Sequence, residues 1–290
     1  MKFPFNTIAL IGKRRTPEIA EPLLHLADFL ASKGIMVVVD SLTSEYLKSH
    51  PYKVLSIAEI GSSVDMAIVL GGDGTMLNIA RNLSPCHVPL VGVNQGRLGF
   101  LTDLTLKNMQ DSIAQMLEGK FVTEQRLLIS AQVVRGGAAI FSGLAFNEVA
   151  VHRDNVSSMI EFEVCIDGEY VYTQRADGLI VSTPTGSTAY AMASGGPILH
   201  PNLDVLELVP VCPHTLSNRP LVVKSSSVVE ILMNRVGVMS VRYDGHTSHE
   251  LQLHDKIIVT RYPETVCLLH PVGHSYFHTL REKLLWNQTR

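Results

Sequence analysis

The feature that most constrains the fold is a glycine-rich turn between two apolar segments. Residues 66–80 read MAIVLGGDGTMLNIA. Ala67–Leu70 has the length and apolar character of a buried strand, and Met76–Ala80 has the apolar spacing of a helix. Gly71–Thr75 is therefore predicted to be the turn at which a strand of a parallel sheet leads into a helix N-terminus, a place where phosphates commonly bind.

The first 120 residues alternate strand-like and helix-like segments. Further strands are predicted at Thr7–Gly12, Ile35–Asp40 and Val88–Val93. Helices are predicted from Thr16, as an N-cap before a first-turn proline, to Lys33, and over Leu106–Glu118. The repeated order of strand, helix and strand indicates a doubly wound, Rossmann-like parallel sheet.

The rest of the chain has a different pattern. Residues 121–260 are rich in short β-like runs, and Asp167–Gly168 between two of them is typical of a type I′ hairpin. A final helix is predicted over Ser275–Trp286, with one apolar face formed by Phe277, Leu280, Leu284 and Leu285.

The predicted architecture is therefore α/β plus all-β. Residues 1–120 are expected to form the α/β domain that carries GGDGT, and residues 121–260 a β-rich domain. Residues 261–290 form a tail whose helix is expected to dock back on the first domain.

Composition excludes several classes of protein. The 290 residues carry a net charge of −3, so no basic field for nucleic acid is expected. No stretch approaches the roughly twenty apolar residues of a membrane span. The first apolar run, Ile8–Ile11, precedes the basic residues, which is the wrong order for a secretory signal. The four cysteines form no CxxC pair, and a cytoplasmic location is expected.

Two common nucleotide-binding motifs are missing from the sequence. It has no G-x-x-x-x-G-K-S/T, and LIGKRRTPE stands after the first strand where a dinucleotide-binding G-x-G-x-x-G would be expected. A P-loop enzyme and an ordinary dehydrogenase are therefore disfavoured. Without that fingerprint, Asp40 is interpreted as a plain strand-end residue.

Asp73 in the glycine turn has two interpretations. It could cap the following helix, or it could orient a hydroxyl group that attacks a phosphoryl group and take its proton late. Asparagine caps helices about as well as aspartate, so Asp73→Asn is expected to leave the melting temperature unchanged or slightly higher. The pentapeptide alone leaves both interpretations open.

A second segment favours the catalytic interpretation. RADGLIVSTPTGSTAYAMASGGP, residues 175–197, contains a strand, a hydroxyl-rich loop at Ser182–Thr188 and a short helix. Such a loop suits a polar ligand with many acceptors, although structural loops are also rich in Ser and Thr. Asn147–Glu148 ends an apolar run, where by itself it is usually a solvated strand end.

GGDGT, Asn147–Glu148 and DGLIVSTPTGSTAY, in this order, resemble the NAD kinase family. The resemblance extends through NQGRLGFLTD to the tail HPVGHSYFHTL and covers nearly the whole chain. It implies an ATP-dependent kinase that phosphorylates the 2′-hydroxyl of the adenosine ribose of NAD, with Mg²⁺ bound to the phosphoryl donor. It also implies a homo-oligomer, a dimer or a tetramer.

The resemblance assigns roles to individual residues. Asp73 would be the proton acceptor, Asn147 and Glu148 would hold the adenosine part, and Phe100 would form an apolar wall unless it is a buried loop aromatic. Ser158 and His246 depart from the most similar relatives, which carry histidine and glutamine there, so the contact at His246 is in doubt. The remaining assigned residues are Gly72, Gly74 and Thr75 near the phosphates, Arg175 and Asp177 near the nicotinamide half, and Thr188, Ala189, Tyr190 and Ala193 around the adenine and its ribose.

Two alternative functions and one candidate metal site are also considered. A lipid kinase of the diacylglycerol or sphingosine type shares the glycine turn, but the hydroxyl-rich loop disfavours an acyl-chain groove. A non-catalytic NAD sensor would not need Asp73. A metal site at His246, His249 and His254 is disfavoured because this segment lacks helical i, i+4 spacing, so no metal ligands are predicted in the chain itself. Phosphoryl donors other than ATP stay open.

Overall fold

The structure is a computed structural model that describes residues 4–47, 49–96, 98–154, 159–235 and 238–286. The chain forms two compact units, one made of residues 1–125 and 266–290 and the other of residues 126–265. It passes from the first unit to the second within the strand Phe121–Arg135 and returns within the strand Lys256–Pro271. None of the helices in the described part of the chain has both the length and the apolar character that a membrane crossing requires.

The first unit alternates strands and helices, as predicted. Its elements before residue 121 are β1 (Thr7–Gly12), α1 (Ala20–Ser32), β2 (Met36–Asp40), α2 (Ser41–Ser44), β3 (Lys53–Leu55), α3 (Ile57–Gly61), β4 (Met66–Leu70), α4 (Asp73–Leu83), β5 (Leu90–Asn94), β6 (Leu104–Thr105) and α5 (Met109–Leu117).

These strands form a parallel sheet in the order β3-β2-β1-β4-β5. This is the strand order of a doubly wound fold, so the α/β prediction is confirmed. The order reverses between β1 and β4, where Gly12 lies beside Leu70. Ligands of doubly wound sheets bind beyond the carboxyl ends of the strands at such a reversal, and the glycine turn follows β4 at that edge.

The first helix begins at the predicted residues, but its first turn is tighter than an α-helix. Pro17–Ile19 forms a 3-10 turn before α1, and the Thr16 side chain makes no capping hydrogen bond. Its hydroxyl donates instead to the carbonyl of Arg14, 3.2 Å away. Thr16 therefore takes the predicted N-cap position before a first-turn proline, but the first turn is 3-10 and the Thr16 side chain does not cap it.

The second unit is almost entirely β-structure, as predicted. Its elements, including the two strands that continue into the first unit, are β7 (Phe121–Arg135), β8 (Ala138–Ala145), β9 (Glu148–Arg153), β10 (Ile160–Ile166), β11 (Glu169–Ala176), β12 (Gly178–Ser182), α6 (Tyr190–Ala193), β13 (Val205–Val211), β14 (Leu221–Lys224), β15 (Val229–Arg235), β16 (Met239–Tyr243), β17 (Thr247–Glu250) and β18 (Lys256–Pro271).

These strands form two largely antiparallel layers. One has the order β11-β10-β15-β18, with β7 paired to β18 and β8, and the other has the order β14-β13-β12-β9-β16-β17. Apolar side chains from both layers share one core, among them Val151, Phe162, Leu179 and Ile231. Asp167 and Gly168 have φ values of +53° and +82° between β10 and β11, which confirms the predicted hairpin turn.

The terminal helix α7 (Tyr276–Leu284) forms where it was predicted and belongs to the first unit, but only part of its predicted apolar face is buried. Leu280 is buried, whereas Phe277 is 59% exposed and Leu285 is 58% exposed. Leu285 has a left-handed φ of +56° and ends the helix, so its side chain does not continue the buried face.

Glu207 on β13 is a buried acid whose ionisation the fold disfavours. Its side chain is fully buried, and neither carboxylate oxygen has a hydrogen-bond partner among the described residues. Burial raises the pKa of Glu207 from 4.5 to about 7. The unfolded chain loses this proton first, so the free energy of unfolding falls as the pH rises through that interval, by at most about 3 kcal/mol.

We expect Glu207→Gln, which keeps the shape but cannot ionise, to remove this loss. The variant should melt several degrees above the unmutated protein at about pH 8 and close to it at about pH 5. Scanning calorimetry at the two pH values measures the difference. Glu169→Gln, at an exposed position on β11, is the control and should change neither value. An equal shift at both pH values would show that Glu207 does not titrate in this way.

Candidate functional site

The glycine turn places Asp73 inside the helix and not at its cap. Gly72 is the N-cap of α4, and Asp73 is the first helical residue. The backbone N–H groups of Thr75 and Met76 bond to the carbonyl of Gly72. The interpretation of Asp73 as a helix N-cap is therefore wrong.

The Asp73 carboxylate instead holds a distant loop. Its Oδ2 accepts from the backbone N–H of Phe100 at 2.9 Å, and its Oδ1 accepts from the N–H of Leu101 at 3.0 Å and from the Thr102 hydroxyl at 3.4 Å. A Cβ atom at Gly99 would lie 2.2 Å from Oδ1, so only glycine allows the loop to lie this close. The carboxylate is fixed in orientation, and three donors leave part of its acceptor capacity for a substrate hydroxyl.

Two glycines of the turn are not explained by internal packing. A Cβ atom at Gly72 or Gly74 would meet no other atom within 4 Å, and the φ of −91° at Gly72 suits any residue. Gly71 differs, since a Cβ there would lie 2.6 Å from the hydroxyl of Thr75. Open glycines at a helix N-terminus fit close approach by a phosphate chain, as the sequence analysis expects.

Three consecutive cations lie at the same edge of the sheet. Lys13, Arg14 and Arg15 are exposed and directly follow β1. The N–H of Lys13 bonds to the carbonyl of Leu70 at 2.9 Å, which places this run beside the start of the glycine turn. These three cations are not among the predicted site residues, although a basic run directly after a predicted strand is a signal that could have identified them.

Phe100 is partly buried in the loop that Asp73 holds. The Lys283 ammonium lies 5.5 Å from the centroid of its ring. Phe100 is therefore not a fully buried core residue, and its ring is only partly exposed.

In the second unit, Asp244 organises the Asn147–Glu148 segment. Its carboxylate accepts from the N–H groups of Phe146, Asn147 and Glu148 at 2.9, 2.7 and 3.1 Å. Asp244 is not among the predicted site residues, although an Asp-Gly pair between two β-like runs is a turn signal. The carbonyl of Asn147 accepts from the N–H of Thr183 at 2.8 Å, so the hydroxyl-rich loop is tied to the same segment.

Glu148 is a buried acid in a cavity of about 210 Å³. It is 7% exposed, and its Oε2 has no hydrogen-bond partner among the described residues. Burial, with the nearby charge of Asp244, raises the pKa of Glu148 to about 8. The cavity is also lined by Ala150, His152, Tyr190, Arg242 and Gly245. An acidic side chain with unused hydrogen-bonding capacity in a small cavity can bind a hydroxyl-bearing ligand.

Of the other predicted residues in the second unit, some flank a residue that lines this cavity, and His246 does not line it. Thr188 ends a 3-10 turn (Gly186–Thr188), Ala189 links this turn to α6, and Ala193 ends α6, whose first residue, Tyr190, lines the cavity. His246 is exposed in the turn after Gly245 and does not line the cavity.

Arg175 and Asp177 are both engaged in ion pairs. Asp177 pairs with Arg153 at 2.8 Å. Arg175 pairs with Glu161 at 2.6 Å and lines a different pocket, so the structure does not bring it to the Glu148 cavity. Ser158 lies outside the described residues.

The sequence matches two domain families in tandem. Residues 8–121 match the ATP-NAD kinase N-terminal domain, and residues 146–270 match the ATP-NAD kinase C-terminal domain. An NAD kinase from Nitrosomonas europaea is 55% identical over 283 residues, which cover 98% of this chain and 96% of that protein. An NAD kinase from Nitrosospira multiformis is 56% identical over 287 residues, which cover 99% of this chain and 98% of that protein.

Solved structures show the same fold. A yeast NADH kinase complexed with NADH has a TM-score of 0.90 and 24% identity, over 99% of this chain and 89% of that one. An NAD kinase from Archaeoglobus fulgidus in complex with ATP has a TM-score of 0.72 and 24% identity, over 97% of each chain. With both domain matches and relatives more than half identical over almost all of its length, the chain belongs to the ATP-NAD kinase family.

Proposed function

We infer that the chain is an NAD kinase, which transfers the terminal phosphoryl group of ATP to the 2′-hydroxyl of the adenosine ribose of NAD and releases NADP and ADP. The observation that carries this conclusion is the Asp73 carboxylate, fixed by a distant loop at the start of α4 between glycines that packing does not require. Family membership over both domains supports this function over a lipid kinase.

The edge of the sheet at β1 and β4 suits the phosphoryl donor. The open backbone at Gly72 and Gly74 and the dipole of α4 favour a phosphate chain, and Lys13, Arg14 and Arg15 add positive charge beside it. We propose that Mg²⁺ enters with ATP, where it would stabilise the charge that develops on the phosphoryl group during transfer. Anionic donor phosphates explain why three cations follow β1.

The Glu148 cavity suits the acceptor. With a pKa of about 8, Glu148 is mostly protonated at neutral pH, so its carboxyl group can both donate to and accept from ribose hydroxyls. Asn147 is held next to it by Asp244. Tyr190 offers an aromatic surface for adenine within the same cavity.

Asp73 then acts on the hydroxyl that attacks. An ordinary carboxylate is far too weak a base to ionise an alcohol in advance, so Asp73 orients the 2′-hydroxyl and accepts its proton late. A loose phosphoryl-transfer transition state needs no full alkoxide, which makes such late transfer sufficient.

The setting of the enzyme is also part of the proposal. We propose a cytoplasmic homo-oligomer, a dimer or a tetramer, on the basis of the family resemblance and the widely spaced free cysteines.

Incubation of the purified protein with NAD and MgATP is expected to give NADP, measured with an NADP-specific dehydrogenase. Reactions without ATP and without Mg²⁺ are the controls. Binding of NAD without formation of NADP would identify a sensor. Phosphorylation of diacylglycerol or sphingosine in place of NAD would identify a lipid kinase.

A further inference from the structure

Four side chains from separate segments meet inside the first unit, and the kinase function assigns no role to any of them. Asp103 directly precedes β6, Glu124 lies on β7, His270 lies near the end of β18, and His274 lies in the turn before α7. No metal ligands are predicted from the sequence, and no spacing pattern joins Asp103 to His270, which lie 167 positions apart.

The distances suit a shared ion. The Nδ1 of His270 hydrogen-bonds to Oδ2 of Asp103, and the Nδ1 of His274 lies 3.2 Å from the same oxygen. One ligand atom from each of these three residues lies within 4.8 Å of the others. Ligand atoms around a tetrahedral zinc ion with bonds of about 2.0–2.2 Å are separated by roughly 3.3 Å, so binding must bring these atoms closer together.

Glu124 orients His270 from the other side of the ring. The Nε2 of His270 lies 2.9 Å from a carboxylate oxygen of Glu124. An ionised carboxylate only accepts hydrogen bonds, so without a bound ion Nε2 donates to Glu124 and Nδ1 donates to Asp103. An ion would displace the hydrogen on Nδ1, while Nε2 keeps its hydrogen bond to Glu124. A histidine held by a carboxylate through its second nitrogen is the usual arrangement around protein-bound zinc.

The cluster also has unused acceptor capacity and excess negative charge. Asp103 is 10% exposed, and its Oδ1 is buried without a hydrogen-bond partner among the described residues. Two carboxylates surround His270, whose side chain is 3% exposed. A dication would compensate both carboxylates and engage Asp103.

We propose that Asp103, His270 and His274 bind one divalent transition-metal ion of the zinc class, with water in the fourth position and Glu124 as the positioning residue. Two imidazole nitrogens with one carboxylate suit zinc or cobalt, whereas Mg²⁺ and Ca²⁺ prefer oxygen ligands. The site is therefore distinct from the Mg²⁺ that enters with ATP.

Binding requires one ring to turn. The rings of His270 and His274 are stacked, with centroids 4.0 Å apart and planes 14° apart, and an ion lies in the plane of each ring that binds it. His270 is held at both nitrogens, whereas His274 is 17% exposed on a short turn. His274 is therefore the ligand that moves when the ion enters.

A proton on Nδ1 of His270 competes with the metal ion for that nitrogen. Burial by itself would lower the pKa of His270, but hydrogen bonds to Asp103 and Glu124 outweigh it and raise this pKa to about 9. If protonated His270 alone stabilises the two carboxylates, the cluster does not bind a metal specifically. The experiment below distinguishes the two cases.

The test uses the full-length protein after chelator treatment, with Co²⁺ as the probe in excess Mg²⁺. We expect one Co²⁺ per chain, with the intense visible absorption of low-coordinate cobalt, and displacement of Co²⁺ by Zn²⁺. His274→Ala should weaken binding at least tenfold, and Glu124→Gln should weaken it by about 10–100-fold. His278→Ala, at an exposed position four residues further along, is the matched control and should bind as the unmutated protein does.

Either of two results would overturn the proposal. One is the lack of a saturable Co²⁺ spectrum in the folded protein. The other is equal binding by the His274→Ala and His278→Ala variants, because that would place the ion elsewhere. Circular dichroism of each variant confirms folding before titration, and none of these readouts depends on kinase activity.

Discussion

Replacing Asp73 with asparagine is expected to lower kcat by about 10²–10⁴-fold, the usual size of a general-base loss. The substitution removes the negative charge and a basic lone pair that orient the 2′-hydroxyl. The residues assigned to the adenosine part, Asn147, Glu148 and Tyr190, lie in the second unit, so the Kd for NAD should change little. Steady-state kinetics with NADP detection and calorimetric NAD binding measure the two quantities.

The structure changes the expected effect of Asp73→Asn on stability. Both carboxylate oxygens accept backbone N–H groups, from Phe100 and Leu101. In either orientation an asparagine amide turns its NH₂ group towards one of these donors and leaves that donor without a partner, which costs about 1–3 kcal/mol. The melting temperature should therefore fall, whereas the sequence alone predicts no change or a slight rise.

A second variant separates lost chemistry from a loosened loop. Thr102→Val keeps the Asp73 carboxylate but removes a hydroxyl that donates to Asp73 and accepts from Asn94 at 3.0 Å. It should lower the melting temperature as well, while kcat stays within about tenfold of the unmutated enzyme, because the charge that orients the hydroxyl is intact.

Comparing the two variants shows whether Asp73 acts on the substrate or only positions the loop. If Thr102→Val lowers kcat as much as Asp73→Asn does, loop position explains the loss and Asp73 is a structural anchor. Normal kcat in Asp73→Asn would also exclude Asp73 as the proton acceptor. A large loss in Asp73→Asn alone leaves the carboxylate as the group that acts on the substrate.

Local patterns predicted the fold well because they are set by neighbours in sequence. The strand Thr7–Gly12 has the predicted bounds, and the Asp167–Gly168 hairpin follows from residues that tolerate positive φ. Errors occur where two local signals compete. Thr16 takes the predicted N-cap position before Pro17, but its side chain does not cap the helix and the first turn is 3-10. Leu285 has helical spacing, but it adopts a left-handed conformation beyond the helix end.

The candidate site was only partly predictable, because its key contacts join distant residues. Asp73 meets Phe100 across 27 positions, and Asp244 meets Asn147 across 97. A periodic pattern in sequence does not reveal contacts between residues so far apart. The motifs therefore located Asp73 and Glu148, but not the distant groups that form hydrogen bonds around them. The role of the basic run after β1 depends on the strand order, which places it beside β4.

Cutting the chain after Arg261 is expected to abolish folding, for a different reason from the one that the sequence suggests. The sequence attributes the loss to an apolar helix face, but α7 buries Leu280 and leaves Phe277 exposed. The larger loss comes from the end of β18, where Val266, Leu268 and Leu269 are each at most 4% exposed. Three buried aliphatic side chains contribute roughly 5–9 kcal/mol, comparable to the whole stability of a domain.

A second truncation tests which element carries this stability. Cutting after His274 keeps β18 and its pairing between Leu268 and Leu90 but removes α7. Loss of the buried Leu280 side chain costs about 2–3 kcal/mol, so this shorter protein should stay soluble and unfold cooperatively at a lower temperature. The cut after Arg261 should give aggregated protein or a chain without a cooperative transition. If the two truncations behave alike, α7 is as necessary as the strand, and the face of the helix beyond Leu280 must contribute more than its exposure indicates.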